Sequence, residues 1–97
     1  MTYSGKIVLL SRSGYLPARD DLFLKTLVAA RIELFCVLGV DADQWEDALD
    51  WLCIGEQGKG EHFIITTAHQ DESLADVIEF AENFTTKTEH RVQLIQR

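Results

Sequence analysis

The chain has 97 residues, 46% of them hydrophobic and 26% charged. This balance admits one soluble globular domain over residues 1–97, and a single proline with six glycines excludes long disordered tracts. Sixteen Asp and Glu against nine Lys and Arg give a net charge of −7. The excess lies in the second half: residues 1–40 sum to +2 (five basic, three acidic) and residues 41–97 to −9 (four basic, thirteen acidic), which argues against a nucleic-acid partner.

No apolar stretch reaches the ~20 residues of a membrane span. The opening MTYSGKIVLLSRSG is too short and too weakly flanked for a secretory signal. The expectation is a cytoplasmic protein with no membrane contact and with Cys36 and Cys53 as reduced, buried thiols, since the two do not form a CxxC pair.

In chain order, KIVLLS (6–11) is a continuous apolar run, as a strand buried on both faces requires. Pro17 suits the first turn of a helix, with Asp20 and Asp21 near its positive end and Phe23, Leu24, Leu27, Val28 and Ala30 on its buried side. IELFCVLGV (32–40) reads as the second strand. A second helix takes Asp43 as N-cap with Glu46 three residues on, carries Trp45, Ala48, Leu49 and Leu52 on one face, and stops at Gly55. After the linker GEQGKGEH, HFIITT (62–67) is the third strand. A third helix, capped by Asp71 or Ser73, places Leu74, Val77, Ile78, Ala81 and Phe84 on one face. HRVQLIQ (90–96) alternates as a half-exposed edge strand should.

The fold class is therefore α/β. The pattern predicts a three-layer, doubly wound domain with a four-stranded parallel sheet in the order β-α-β-α-β-α-β. Taking the first and third strands as the most buried predicts the strand order 2-1-3-4. The first helix then covers one face, and the second and third cover the other.

Ligands of such sheets sit beyond the carboxyl ends of the strands, where the strand order reverses. With this order the crevice lies between strands one and three, and the candidate ligand-binding residues are Ser11, Arg12, Ser13, Gly14, His69 and Asp71. Backbone N–H groups, hydroxyls and a guanidinium before a helix suit an anion. His69 with Asp71 or Glu72 forms a possible acid–base pair, with Ser11 or Ser13 across the crevice as nucleophile. The bland alternative is a helix-entry turn and a solvated histidine, and no catalytic residue is assigned. His62 and His90 fall at strand starts, away from His69, so neither a metal site nor a cofactor is expected.

A second candidate is a contact surface. Trp51, Ile54 and Phe80 lie off the apolar faces of helices two and three, ringed by Asp47, Asp50, Glu79 and Glu82. With both helices on one sheet face, Trp51 and Phe80 either pack in the groove between them or form an acidic-rimmed patch for a protein partner with a basic surface. On helix one, Leu22, Thr26 and Ala29 make a stripe that suits a homodimer seam. The leading expectation is a non-enzymatic interaction or regulatory module; the alternative is a small-ligand or anion-binding domain, with hydrolysis as its candidate activity.

The SRSG loop partly resembles the phosphate loop of flavodoxins, although Leu16 and Pro17 depart from its polar end, and the outline resembles a minimal flavodoxin-like or Rossmann-like domain. The segments IELFCVLG, WEDALDWL and DESLADVIEFAENF resemble a small family of bacterial proteins carrying a domain of unknown function. That resemblance implies a compact αβ domain and brings no activity or site residues with it.

Overall fold

The computed structural model describes residues 3–57 and 64–97, with residues 54–57 described as backbone only. The elements follow in the order β1 (Lys6–Ser11), α1 (Pro17–Ala29), β2 (Leu34–Gly39), α2 (Ala42–Gln57), β3 (Ile65–His69), α3 (Leu74–Asn83) and β4 (Val92–Gln96). Their type and order are those expected. Gly55 does not stop α2, which runs two residues further, and Asp43 lies in its first turn rather than ahead of it. Ala30 is exposed because it forms the C-cap of α1 instead of joining its buried side. The linker 58–62, His62 included, lies outside the described residues. Within the described part, β3 starts at Ile65 and takes His69 as its last residue.

The four strands are parallel throughout, and their order is β3-β2-β1-β4. The expected order 2-1-3-4 is corrected by the burial of β2. Leu34 to Leu38 are buried without interruption, whereas β3 is only partly covered over Ile65 to Ala68. A strand apolar on both faces belongs inside the sheet, and one carrying Thr66 and Thr67 tolerates the edge. The order 3-2-1-4 is also that of the first four strands in dinucleotide-binding sheets, a likeness of topology alone.

The helix layers follow from that order. The β1–β2 and β2–β3 crossovers step in the same direction, so right-handed connections put α1 and α2 on one face. The third crossover passes back over β2 and β1 to reach β4, which puts α3 on the other face. The two cores match this division. Phe23, Leu24, Leu27, Trp45 and Leu49 of α1 and α2 pack on Ile7, Leu9, Phe35 and Val37. Val77 and Ala81 of α3 pack on Val8, Leu34, Cys36 and Leu38. The expectation that α2 and α3 share a face is therefore overturned. Each fully buried large side chain in these cores is worth roughly 1.5–3 kcal/mol.

The local signals act as their chemistry requires. Pro17 opens α1, where a missing N–H costs nothing. Ser73, not Asp71, caps α3: its Oγ accepts the Asp76 N–H at 3.2 Å. Gly39 ends β2 at φ +101°. A Cβ there would stand 2.2 Å from the Ser11 carbonyl oxygen, which accepts the Val40 N–H at 2.9 Å. Backbone meets backbone at this point, so no rotamer change relieves the clash. Gly39→Ala is expected to cost about 3 kcal/mol or more in urea unfolding, from a left-handed φ and the forced separation of β1 from β2. A loss below about 1 kcal/mol would show that the two strand ends adjust freely.

Candidate functional site

The carboxyl ends of the strands bring together four segments: Ser11–Leu16 after β1, Val40 and Asp41 after β2, Gln70–Ser73 after β3, and Arg97 after β4. Because β2 lies between β1 and β3, the crevice expected between those two does not exist. Ser11 to Gly14 and His69 with Asp71 are separated by two strand spacings, roughly 10 Å. They form two places, not one.

At the first place the loop after β1 is braced from every side. The N–H groups of Arg12 and Ser13 donate to the Arg97 carbonyl, that of Tyr15 to Asp41 Oδ2 (3.0 Å), and that of Leu16 to Asp20 Oδ2 (2.9 Å). Arg19 donates to Ser13 Oγ and to the Gly14 carbonyl. Ser11 is buried, and its Oγ accepts the Trp45 indole N–H at 2.9 Å. The backbone N–H groups of Arg12, Ser13, Tyr15 and Leu16 are thus committed to the protein itself, the Arg12 side chain is exposed, and Asp20, Asp21 and Asp41 add negative charge around the loop. The hydroxyl oxygens of Ser11 and Ser13 thus both accept hydrogen bonds within the protein.

Asp20 organises this end of the molecule. Its side chain is fully buried and accepts from the guanidinium groups of Arg19 (2.7 Å) and Arg97 (2.9 Å) as well as from Leu16. Arg97 also lies 4.0 Å over the Phe23 ring, fastening the end of β4 to α1. Burial alone would raise the Asp20 carboxyl. The bonds from Arg19, Leu16 and Arg97 outweigh it and hold the group below the usual carboxylate value. Tyr15 shows the opposite result: burial, then the hydrogen bond to Asp21 and the neighbouring carboxylates, push its phenol up to about 12.

At the second place His69 is buried rather than solvated. Its Nδ1 lies 3.0 Å from Glu72 Oε1, its Nε2 lies 2.8 Å from Thr67 Oγ1, and its ring meets Phe80 edge-on at 5.2 Å. Of the two expected carboxylate partners, Glu72 is the one paired. The resulting hydroxyl–imidazole–carboxylate chain has the donor order of an activated nucleophile, with Thr67 in the hydroxyl position. Phe80 and α3 cover its imidazole, and the chain satisfies the polar groups of a buried strand end. The residue pattern did not single out Thr67; its place two residues before His69 on the same strand face was the available signal.

Between the ends of β2 and β3 lies a hollow of about 450 Å³, lined by Gly39, Asp41, Ala42, Asp43, Gln44, Gln70 and Asp71. Gln70 Nε2 donates across it to Asp43 Oδ2. Three carboxylates and two amides make it a place for cations or basic side chains and a repulsive one for phosphates. Among the described residues, no group of three or more His, Cys, Asp or Glu side chains is disposed to hold a metal ion.

The hollow continues down α2. Asp43, Asp47 and Trp51 are spaced i, i+4, i+8 and so share the face opposite buried Trp45, Leu49 and Cys53. Trp51 is 73% exposed, and Leu22 on neighbouring α1 is 74% exposed, both on the outward side of the same helical layer. The expected patch is split: Glu79 and Phe80 sit on α3 across the sheet, and Asp50 is turned inward to accept the Thr66 hydroxyl at 2.8 Å. The Ile54 side chain lies outside the described residues. α2 has five acidic residues and no basic one. Burial, then the charges of Asp50, Asp47 and Asp43, hold the Glu46 carboxyl above its ordinary value. The Leu22, Thr26 and Ala29 stripe is exposed, as expected for a seam or a plain surface.

Residues 2–96 match a family model described as a domain of unknown function. No curated protein and no solved structure matches the chain. Among the described residues no helix is long and apolar enough to cross a membrane.

Two measurements follow from these groups. Asp20→Ala is expected to cost about 2–3 kcal/mol, because Arg19 and Arg97 lose a buried acceptor. Since the folded carboxyl titrates below the unfolded value near ~3.9, the wild-type advantage is complete above that pH. It is lost as pH falls through the folded value, so the two unfolding curves converge in acid. A gap that persists at the lowest pH would place the effect in packing alone. Separately, replacing Asp43 and Asp47 with Asn is expected to lower the Glu46 pKa, read by carboxyl-carbon NMR titration. An unchanged value would leave burial and the Asp50 charge as its causes.

Proposed function

The chain belongs to the DUF7684 family, and we propose that it is a non-enzymatic interaction module that seats a basic segment of a protein partner along the outer face of α2. The observation that carries this reading is the Trp51 indole. It stands 73% exposed on a helix whose other large apolar side chains with a described burial are buried or half-buried, and it is in line with Asp43 and Asp47. An indole in water leaves on the order of 150–250 Å² of burial unused, and exposed Trp is the residue type most enriched among dominant contacts in interfaces.

The chemistry around Trp51 specifies the partner. An Arg or Lys side chain can lay its cation over the indole face while a second meets Asp47 or Asp43, and a third can reach the hollow formed by Asp41, Asp43 and Asp71. A rim of one sign steers such a partner from a distance and weakens with salt. The neutral or acidic surfaces of other proteins gain nothing from the same face. The commitment of the β1 loop donors to internal partners and the covering of His69 by Phe80 favour this reading over ligand turnover at the carboxyl edge.

The test is a pair of synthetic helical peptides of equal length, one rich in Arg and Leu, the other in Glu and Leu, titrated against labelled protein. The basic peptide is expected to shift the amides of Asp43, Asp47 and Trp51, with affinity falling as salt rises. Trp51→Ala and the double change Asp43→Lys, Asp47→Lys should each weaken it more than about tenfold, the loss expected for a dominant contact, while Trp51→Ala keeps the wild-type melting temperature and the double variant still unfolds cooperatively. Shifts confined to other surfaces, or affinity untouched by both variants, would refute the assignment.

A further inference from the structure

We infer that β4 is an association edge, and that two copies of this chain join through it, antiparallel about a two-fold axis, into one continuous eight-stranded sheet. β4 lies at the end of the sheet, paired on one side with β1. Arg97 donates its N–H to the Leu10 carbonyl and accepts from Arg12, so in a parallel ladder residues 93, 95 and 97 bond to β1. The N–H and C=O groups of Val92, Leu94 and Gln96 then point away from the molecule. Proteins ordinarily guard such a row with a charge within the strand, a proline, a bulge or a covering segment. The run VQLIQ has no charge and no proline, and its register against β1 is unbroken from Val92 to Gln96.

The side chains favour a second copy as occupant. Leu94 is 39% exposed on the α3 face, beside half-buried Val92 and Leu10, and α3 is the sole helix over that face among the described residues. With Leu94 at the two-fold axis, Leu94 faces its own copy, Val92 faces Gln96, and about six backbone hydrogen bonds form. The apolar strip over β1 and β4 then runs on from one copy into the next. Most faces of a chain with net charge −7 repel a second copy, whereas this strand is uncharged. The arginines flanking it, Arg91 and Arg97, meet across the seam, and Arg97 brings its own counter-ion in Asp20. This interface is separate from the α2 face, so either can fail without the other.

The experiment is light-scattering mass across a concentration series, with two variants placed by the ladder. The wild-type chain should reach twice its 11.0 kDa mass. Gln96→Pro removes an outward N–H without touching the bonds to β1, and Leu94→Lys places like charges at the axis; both should give the monomer mass and a cooperative melting transition that, unlike that of the wild type, does not move with concentration. Trp51→Ala should leave the dimer intact. Amide exchange on the wild-type protein supplies an independent reading should a variant misfold: Leu94 and Gln96 amides become protected as concentration rises. A wild-type mass of one chain at every concentration, a dimer that survives both β4 variants, or amides at 94 and 96 that exchange freely in the dimer would each overturn the inference.

Discussion

The reversal of direction between β3 and β4 governs this structure. Two right-handed crossovers carry the chain from β1 outward to β3, and α1 and α2 must then lie together on one face. The third returns across the sheet to the far side of β1, which leaves α3 alone on the opposite face. Unequal covering of the sheet, the separation of the two acidic helices, and the meeting of Arg97 with the β1 loop all descend from that one step. β1 is held on both sides, by β2 over Lys6–Ser11 and by β4 over Lys6–Leu10.

The carboxyl edge of the sheet is where open α/β domains place ligands, and here the chain has filled much of it with itself. The end of β4 supplies the carbonyl that takes the Arg12 and Ser13 N–H groups, and its guanidinium completes the shell of Asp20. The N–H groups of Arg12, Ser13, Tyr15 and Leu16 in this loop are thereby already satisfied within the molecule. What remains open is the acidic hollow between β2 and β3 and the outer face of α2 below it. Electrostatic character and exposed aromatic surface coincide there, and the proposed basic partner rests on that coincidence.

At the opposite, amino edge, Glu33 does for the α3–β4 connection what Asp20 does for the β1 loop. Its carboxylate accepts from the N–H groups of Lys87 and Thr88 and pairs with His90 Nε2; the His90 bond first, with the two backbone bonds, outweighs the opposing effect of burial and holds it below its usual range. The imidazole of His90 occupies the space beside Gly5, where any Cβ would meet it at 2.3 Å. Both ends of the sheet are thus tied by a carboxylate that gathers backbone and side-chain partners from segments far apart in the chain.

Taken alone, the sequence determined the type and order of all seven elements. KIVLLS must be buried on both faces, Pro17 must open a helix, Ser73 must compete for the start of α3, and VQLIQ must alternate as an edge strand; each rests on local sterics, capping chemistry or periodicity. It also placed Trp51 off the apolar face of its helix, while the choice between a groove beside α3 and open solvent fell to the tertiary structure, which puts α3 on the other face of the sheet. Which strand lies beside which was decided only in the tertiary structure, because strand order depends on how apolar runs compete for the centre of the sheet, a comparison across the whole chain. The candidate sites followed that decision. Strand order parted Ser11 from His69 and Trp51 from Phe80, and spatial proximity alone joined Asp20 to Arg97.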